Sequence, residues 1–71
     1  MELTPAELNE RFTYHAPKDD QPERYIKIRD AQKALAELIV ELCPDSRERS
    51  LAITKLEEVG YWANAGIARR E

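Results

Sequence analysis

Phe12, Tyr14 and His15 crowd into one short segment, and Lys18 follows three positions later. Flat rings of this kind can stack on nucleobases, at about 1–3 kcal/mol per base and with little regard for which base it is. The competing reading is structural: Phe12 and Tyr14 pin the segment onto the helices that follow. Arg29 and Lys33 are four apart, so a helix puts them on one face. With Arg24 or Lys27 beside them they could hold two phosphates, arginine through the paired hydrogen bonds of its planar fork. Read more plainly, they are a solvated face. Arg69 and Arg70 close the last helical pattern, where a cation favours the helix C-terminus and could also meet an anion. Asn64, next but one to Trp62 among small residues, suits an interface hydrogen bond or a ligand contact.

These groups bind; they do not assemble a catalyst. The chain has no Ser-His-Asp set, no glycine-rich phosphate loop and no His/Cys/Asp cluster at metal spacing. Glu57 and Glu58 are adjacent, so on a helix they point about 100° apart and cannot share a proton. The expectation is a binding protein that is not an enzyme, with no catalytic residue, no metal and no cofactor.

The elements that must position these side chains are helical. Thr4-Pro5-Ala6-Glu7 reads as a helix start, with Thr4 as cap, Pro5 in the first turn and Glu7 closing a capping box. A short helix over 5–11 follows, with Leu3 and Leu8 to pack. Residues 12–20 are an aromatic, then polar, loop. A long helix is expected over 21–43, with Asp20 and Glu23 at capping-box spacing. Its apolar stripe is Tyr25, Ile28, Ala31, Leu35, Leu38, Ile39 and Leu42. Pro44 ends it by pushing Cys43 out of the α region. Asp45, with Glu48 at the box position, caps a second long helix over 46–70, whose stripe is Ala52, Leu56, Val59, Ala63 and Ile67. Leu51, Ile53 and Trp62 broaden its apolar surface. Gly60 and Gly66 each cost about 1 kcal/mol against alanine, and small residues around Gly66 would let another helix come close. The fold class is all-α: a short helix, an aromatic loop and a long antiparallel hairpin, in one domain.

Such helices would be roughly 30–38 Å long at ~1.5 Å per residue, too long for a self-sufficient monomer of 71 residues. A domain this small buries only about 60% of its unfolded surface and needs a staple. One cysteine, Cys43, excludes an internal disulfide. Oligomerisation is left, with sites made between chains. A net charge of −3, from 11 basic and 14 acidic residues, argues against binding a DNA or RNA polymer. The first residues, Met-Glu-Leu-Thr-Pro, lack the apolar stretch of a signal peptide, and Leu38-Ile39-Val40 is far too short to span a membrane. A single free thiol fits a reducing cytoplasm.

Three strings of residues carry a resemblance. The first is Arg11-Phe12-Thr13-Tyr14-His15-Ala16-Pro17, with Gln21-Pro22-Glu23-Arg24-Tyr25 and Ile28-Arg29 after it. The second is Ser46-Arg47-Glu48, Ser50-Leu51-Ala52 and Thr54-Lys55-Leu56-Glu57-Glu58. The third is Trp62-Ala63-Asn64-Ala65 followed by Ile67-Ala68-Arg69. Over residues 8–70 the chain resembles the helical-hairpin domain of the phage anti-CBASS and anti-Thoeris cyclic-nucleotide sponges, the anti-CBASS branch above all. The resemblance implies a homo-oligomer, commonly a hexamer, in the cytoplasm of the bacterial host. It implies sequestration, without cleavage, of cyclic dinucleotides such as cyclic GMP-AMP and of cyclic trinucleotides at a separate pocket. Tyr14 would stack on a base and Arg29, with Lys33, would meet a phosphate, while Arg69 or Arg70 would serve the second pocket. The chain departs from the family pattern at Lys18-Asp19-Asp20, where a glycine is expected, and at Gly60, Tyr61 and Gly66. The alternative class is a helical-hairpin adaptor for a partner protein. An adaptor should bury Phe12 and Tyr14 away from cations, whereas a sponge should leave Tyr14 facing a cavity near Arg29 or Lys33.

Overall fold

The computed structural model describes residues 2–71. Three helices follow in order, α1 over Pro5–Phe12, α2 over Gln21–Leu42 and α3 over Arg47–Arg70, with no strand among the described residues. Helices α2 and α3 pack as an antiparallel hairpin, and α1 folds back at its open end. The particle measures 46 × 28 × 15 Å, and its radius of gyration is 15.4 Å. A compact domain of this length would have about 11 Å. No helix is long and apolar enough to cross a membrane among the residues described.

The caps show how local chemistry sets these boundaries. Thr4 Oγ1 accepts from the Glu7 amide at 3.1 Å, as expected. Glu7 does not close the box: its carboxylate takes Arg11 and Arg70 instead. At α2, Asp20 holds the cap position but makes no side-chain cap bond, and its carboxylate lies 3.2 Å from Arg24 Nε. At α3 the cap is Ser46, not Asp45. Ser46 Oγ accepts from the Arg49 amide at 3.1 Å and donates to the Pro44 carbonyl at 3.0 Å. One hydroxyl can serve both partners, which a carboxylate cannot, and Asp45 pairs with Arg49 at 3.2 Å.

The packing seam differs from the expected stripes. On α2 it runs through Tyr25, Ile28, Gln32, Ala36 and Ile39, and Ala31, Leu35, Leu38 and Leu42 stay exposed. On α3 it runs through Ile53, Leu56, Gly60, Ala63 and Ile67, with Ala52 and Val59 outside. The reason is a polar contact that apolar periodicity does not register. Gln32 Nε2 donates to the Leu56 carbonyl at 2.6 Å across the seam. It fits because residue 60 has no side chain: a Cβ there would sit 2.5 Å from the Gln32 amide. Gly60 is thus a close-approach glycine, while Gly66 has open space above it.

No hydrophobic side chain is fully buried among the described residues. Leu3 and Leu8 of the first segment are exposed rather than packed, as are Leu35, Leu38, Val40, Leu42 and Leu51 around the hairpin tip. The hairpin is a half-built core, held by one seam and by polar staples at its open end.

Candidate functional site

Helix α1 delivers the aromatic residues to the open end of the hairpin. It ends at Phe12, and the chain runs extended until Asp19, whose φ of 51° lies in the left-handed region. Aspartate tolerates that conformation better than most residues. His15 Nε2 donates to the Glu10 carbonyl at 2.7 Å, so the ring is spent on fastening the loop to α1. Lys18 Nζ donates to the Glu71 backbone oxygen at 3.1 Å.

Tyr14 is 84% exposed and sits at the rim of a cavity of about 660 Å³. Arg29, Asn64 and Arg69 line the same cavity, together with Arg11, Tyr25 and the small residues Ala65 and Ala68. That volume lies in the range of small-molecule sites. Arg29 and Asn64 also line an adjoining groove of about 320 Å³ with Lys33, Gln32, Gly60 and Tyr61. A third hollow, of about 510 Å³, lies between Phe12 and Trp62 and carries Arg69 and Arg70. Phe12 and Trp62 are exposed like Tyr14.

The structure therefore brings Tyr14, Arg29, Asn64 and Arg69 together and sets Lys33 one turn along the same face. It does not separate Arg69 from Tyr14: this arginine faces both the tyrosine cavity and the Phe12–Trp62 hollow. His15 lines the tyrosine cavity through a ring already engaged, and Lys18 lines none of the three. Asp19 and Asp20 also stay out of them. Sequence reasoning passed over Tyr25 and Arg11. Tyr25 precedes Arg29 by one helical turn, a signal that was available but was read only as packing.

The cations of the site differ in availability. Arg70 is held by Glu7 through two bonds, at 2.6 and 3.0 Å. The Arg70 guanidinium, and after it Arg11, holds the Glu7 carboxyl at about 2, below its ordinary 4.5. Arg69 Nη2 reaches the Arg11 carbonyl at 3.5 Å. Arg29 and Lys33 make no ion pair among the described residues. Two unpaired cations one turn apart, beside an exposed phenol ring and a carboxamide, can receive a ligand with two anionic groups and a flat base. Among the described residues, no group of three His, Cys, Asp or Glu side chains could hold a metal ion.

No curated protein and no solved structure matches the chain. The family described as the Acb2/Tad1 hairpin domain matches residues 4–68, which cover α1, the aromatic loop and nearly all of the hairpin. The chain belongs to the Acb2/Tad1 hairpin-domain family, the family of the anti-CBASS and anti-Thoeris sponges.

Proposed function

We propose that this protein binds cyclic oligonucleotide immune messengers and sequesters them without cleavage, so that bacterial anti-phage signalling stays off. The observation that carries this reading is the Tyr14 ring, exposed over a cavity it shares with Arg29, Asn64 and Arg69. A cyclic dinucleotide such as cyclic GMP-AMP presents two bases and two phosphates. Tyr14 stacks on a base, Arg29 and Lys33 take phosphate oxygens, and Asn64 offers both a donor and an acceptor to a base edge. Family membership supports the messenger class. The exposure of Phe12 and Tyr14 next to arginines disfavours a plain protein adaptor, which would bury both rings.

The same reading takes the protein as a homo-oligomer, a hexamer by family likeness, in the host cytoplasm. The exposed leucines of the tip and the absence of a buried hydrophobic side chain among the described residues support self-association. A second pocket, for cyclic trinucleotides, is assigned to the Phe12–Trp62 hollow, where Arg69 and Arg70 from several copies converge about a symmetry axis. Sequestration needs no bond chemistry; it lowers the free messenger concentration by mass action.

Isothermal titration against a panel of cyclic di- and trinucleotides, including cyclic ADP-ribose forms, tests the reading. Saturable binding with intact ligand recovered after heat release is the expected outcome. No heat with any member of the panel, or release of linear nucleotide, would refute it.

A further inference from the structure

Gln21 carries the one buried side chain among the described residues, at 3% exposure, and it is polar. Its amide is fully employed. Oε1 accepts from the Lys18 backbone amide at 3.1 Å, and Nε2 donates to the Ile67 carbonyl at 3.3 Å and to Glu71 Oε1 at 3.0 Å. Glu71 in turn accepts from both terminal guanidinium nitrogens of Arg24, Nη1 and Nη2. One carboxamide thus ties the end of the aromatic loop to the first turn of α2 and the last turn of α3. The other end of the loop is fastened by the next residues of α3, Arg69 to the Arg11 carbonyl and Arg70 to Glu7.

Tyr14 lies between these two fastenings, its neighbours Thr13 and His15 bonded to Asn9 and Glu10 of α1, and makes no hydrogen bond of its own among the described residues. Helix α1 buries nothing that could hold it in place. The position of the ring relative to Arg29 is therefore set by the backbone that the fastenings hold. Gln21, Arg24 and Glu71 line none of the three cavities, so they have no part in touching a ligand there. We infer that Gln21, backed by Glu71, is a positioning residue that sets the aromatic loop over the Arg29 cavity. A side chain of equal volume without the amide leaves the Lys18 N–H unpaired, removes the tie to the end of α3 and frees the loop.

The inference rests on the nucleotide-binding reading for its consequence, but not for its structural half. The test has two arms, on the full chain. In the first, without ligand, amide hydrogen exchange is compared between wild type and Gln21→Met. The Lys18 amide, whose hydrogen bond Gln21 Oε1 accepts, should exchange about tenfold faster in the variant, while the α2–α3 seam around Gln32 and Gly60 keeps its protection. Unchanged exchange at the Lys18 amide overturns the inference, whatever the protein binds. In the second arm, cyclic GMP-AMP is titrated. Gln21→Met should weaken binding about tenfold in the wild-type background and less than twofold in a Tyr14→Ala background, because both changes act through one ring. Losses that simply multiply would overturn positioning and leave only general destabilisation. If the wild-type chain binds no cyclic dinucleotide, the functional reading fails and the first arm alone decides. Should Gln21→Met fail to fold, Glu71→Gln replaces it in both arms.

Discussion

At the open end of the hairpin polar side chains are paired within the chain: Glu7 with Arg70, Glu71 with Arg24, and Gln21 with the loop at Lys18 and the end of α3 at Ile67 and Glu71. At the tip, around Cys43 and Pro44, leucines point outward; Leu42 is 70% exposed and the free thiol of Cys43 is exposed with it. The open end pairs its polar staples within one chain and leaves a cavity with cations to spare, with Phe12, Tyr14 and Trp62 exposed around it. The tip leaves its leucines uncovered within one chain. A ligand site asks for geometry fixed before the ligand arrives, whereas an oligomer interface can be completed by its partner. One short helical hairpin can thus divide its length between recognition and assembly.

The largest expected effect breaks the tip. Leu38→Glu with Leu42→Glu puts carboxylates where apolar cover is expected, at several kcal/mol if they are buried, or a hundredfold or more in association. Light scattering should show wild type as an oligomer at micromolar concentration and the variant as the 8.2 kDa chain. Wild type running at 8.2 kDa would erase the distinction drawn above.

Next in size are changes at the open end. Tyr14→Ala removes a stacking ring and should weaken cyclic dinucleotide binding about ten- to a hundredfold. Arg29→Ala should cost a comparable factor. Neither should alter the oligomer, since the tip is untouched. Titration and light scattering on the same samples check both halves, and wild-type affinity in both variants would remove these residues from the site.

The two glycines give a smaller and sharper contrast. Gly66→Ala meets nothing within 4 Å and should gain about 1 kcal/mol, or about 4–8 °C in Tm, from helix propensity alone. Gly60→Ala should show almost none of this gain, because its Cβ displaces the Gln32 amide and forfeits about 0.5–1.5 kcal/mol at the Leu56 carbonyl. A loss at Gly66 would mean that a neighbouring copy occupies that space.

The smallest effect is that of pH. Glu71 is held at about 2, first by the Arg24 guanidinium and then by Gln21, as Glu7 is by Arg70. A carboxyl depressed in the folded state contributes fully above its ordinary value of 4.5 and loses that contribution as pH falls towards about 2. Loop exchange should therefore be flat, apart from intrinsic chemistry, from pH 8 to about 5 and rise below about 4.5. Both pairs are solvent-accessible, so the rise should be modest. Glu7→Gln with Glu71→Gln should make the loop loose already at neutral pH and remove the dependence.

The three helices were legible because their signals are local: Thr4 and Pro5 at one start, Pro22 in the first turn of another, and Pro44 as a break. What apolar spacing missed was polar. It placed the seam on Ala31 and Val59 because it could not credit Gln32, whose fit depends on a glycine 28 positions away. It gave Asp45 the cap because both Asp45 and Ser46 are good caps, and only the bond to the Pro44 carbonyl separates them. Tyr14, Arg29 and Asn64 could be named from residue type, yet their meeting depends on how two helices align. Gln21 stood in a string that carries the resemblance, but its residue type gave no sign of burial, which shows only once its three partners are seen.

That alignment has a polar marker in the middle of the seam. A seam of small and half-buried residues offers little resistance to one helix sliding along the other. The Gln32–Gly60 contact does resist, because any slip drives the carboxamide into a side chain. Arg29 lies one turn before Gln32, and Asn64 lies one turn after Gly60. A slip of one turn, about 5.4 Å, would carry Asn64 away from Arg29 and dismantle the cavity they share. The hairpin's register and the spacing of its binding groove are thus read from the same ruler, and the notch on that ruler is a missing methyl group.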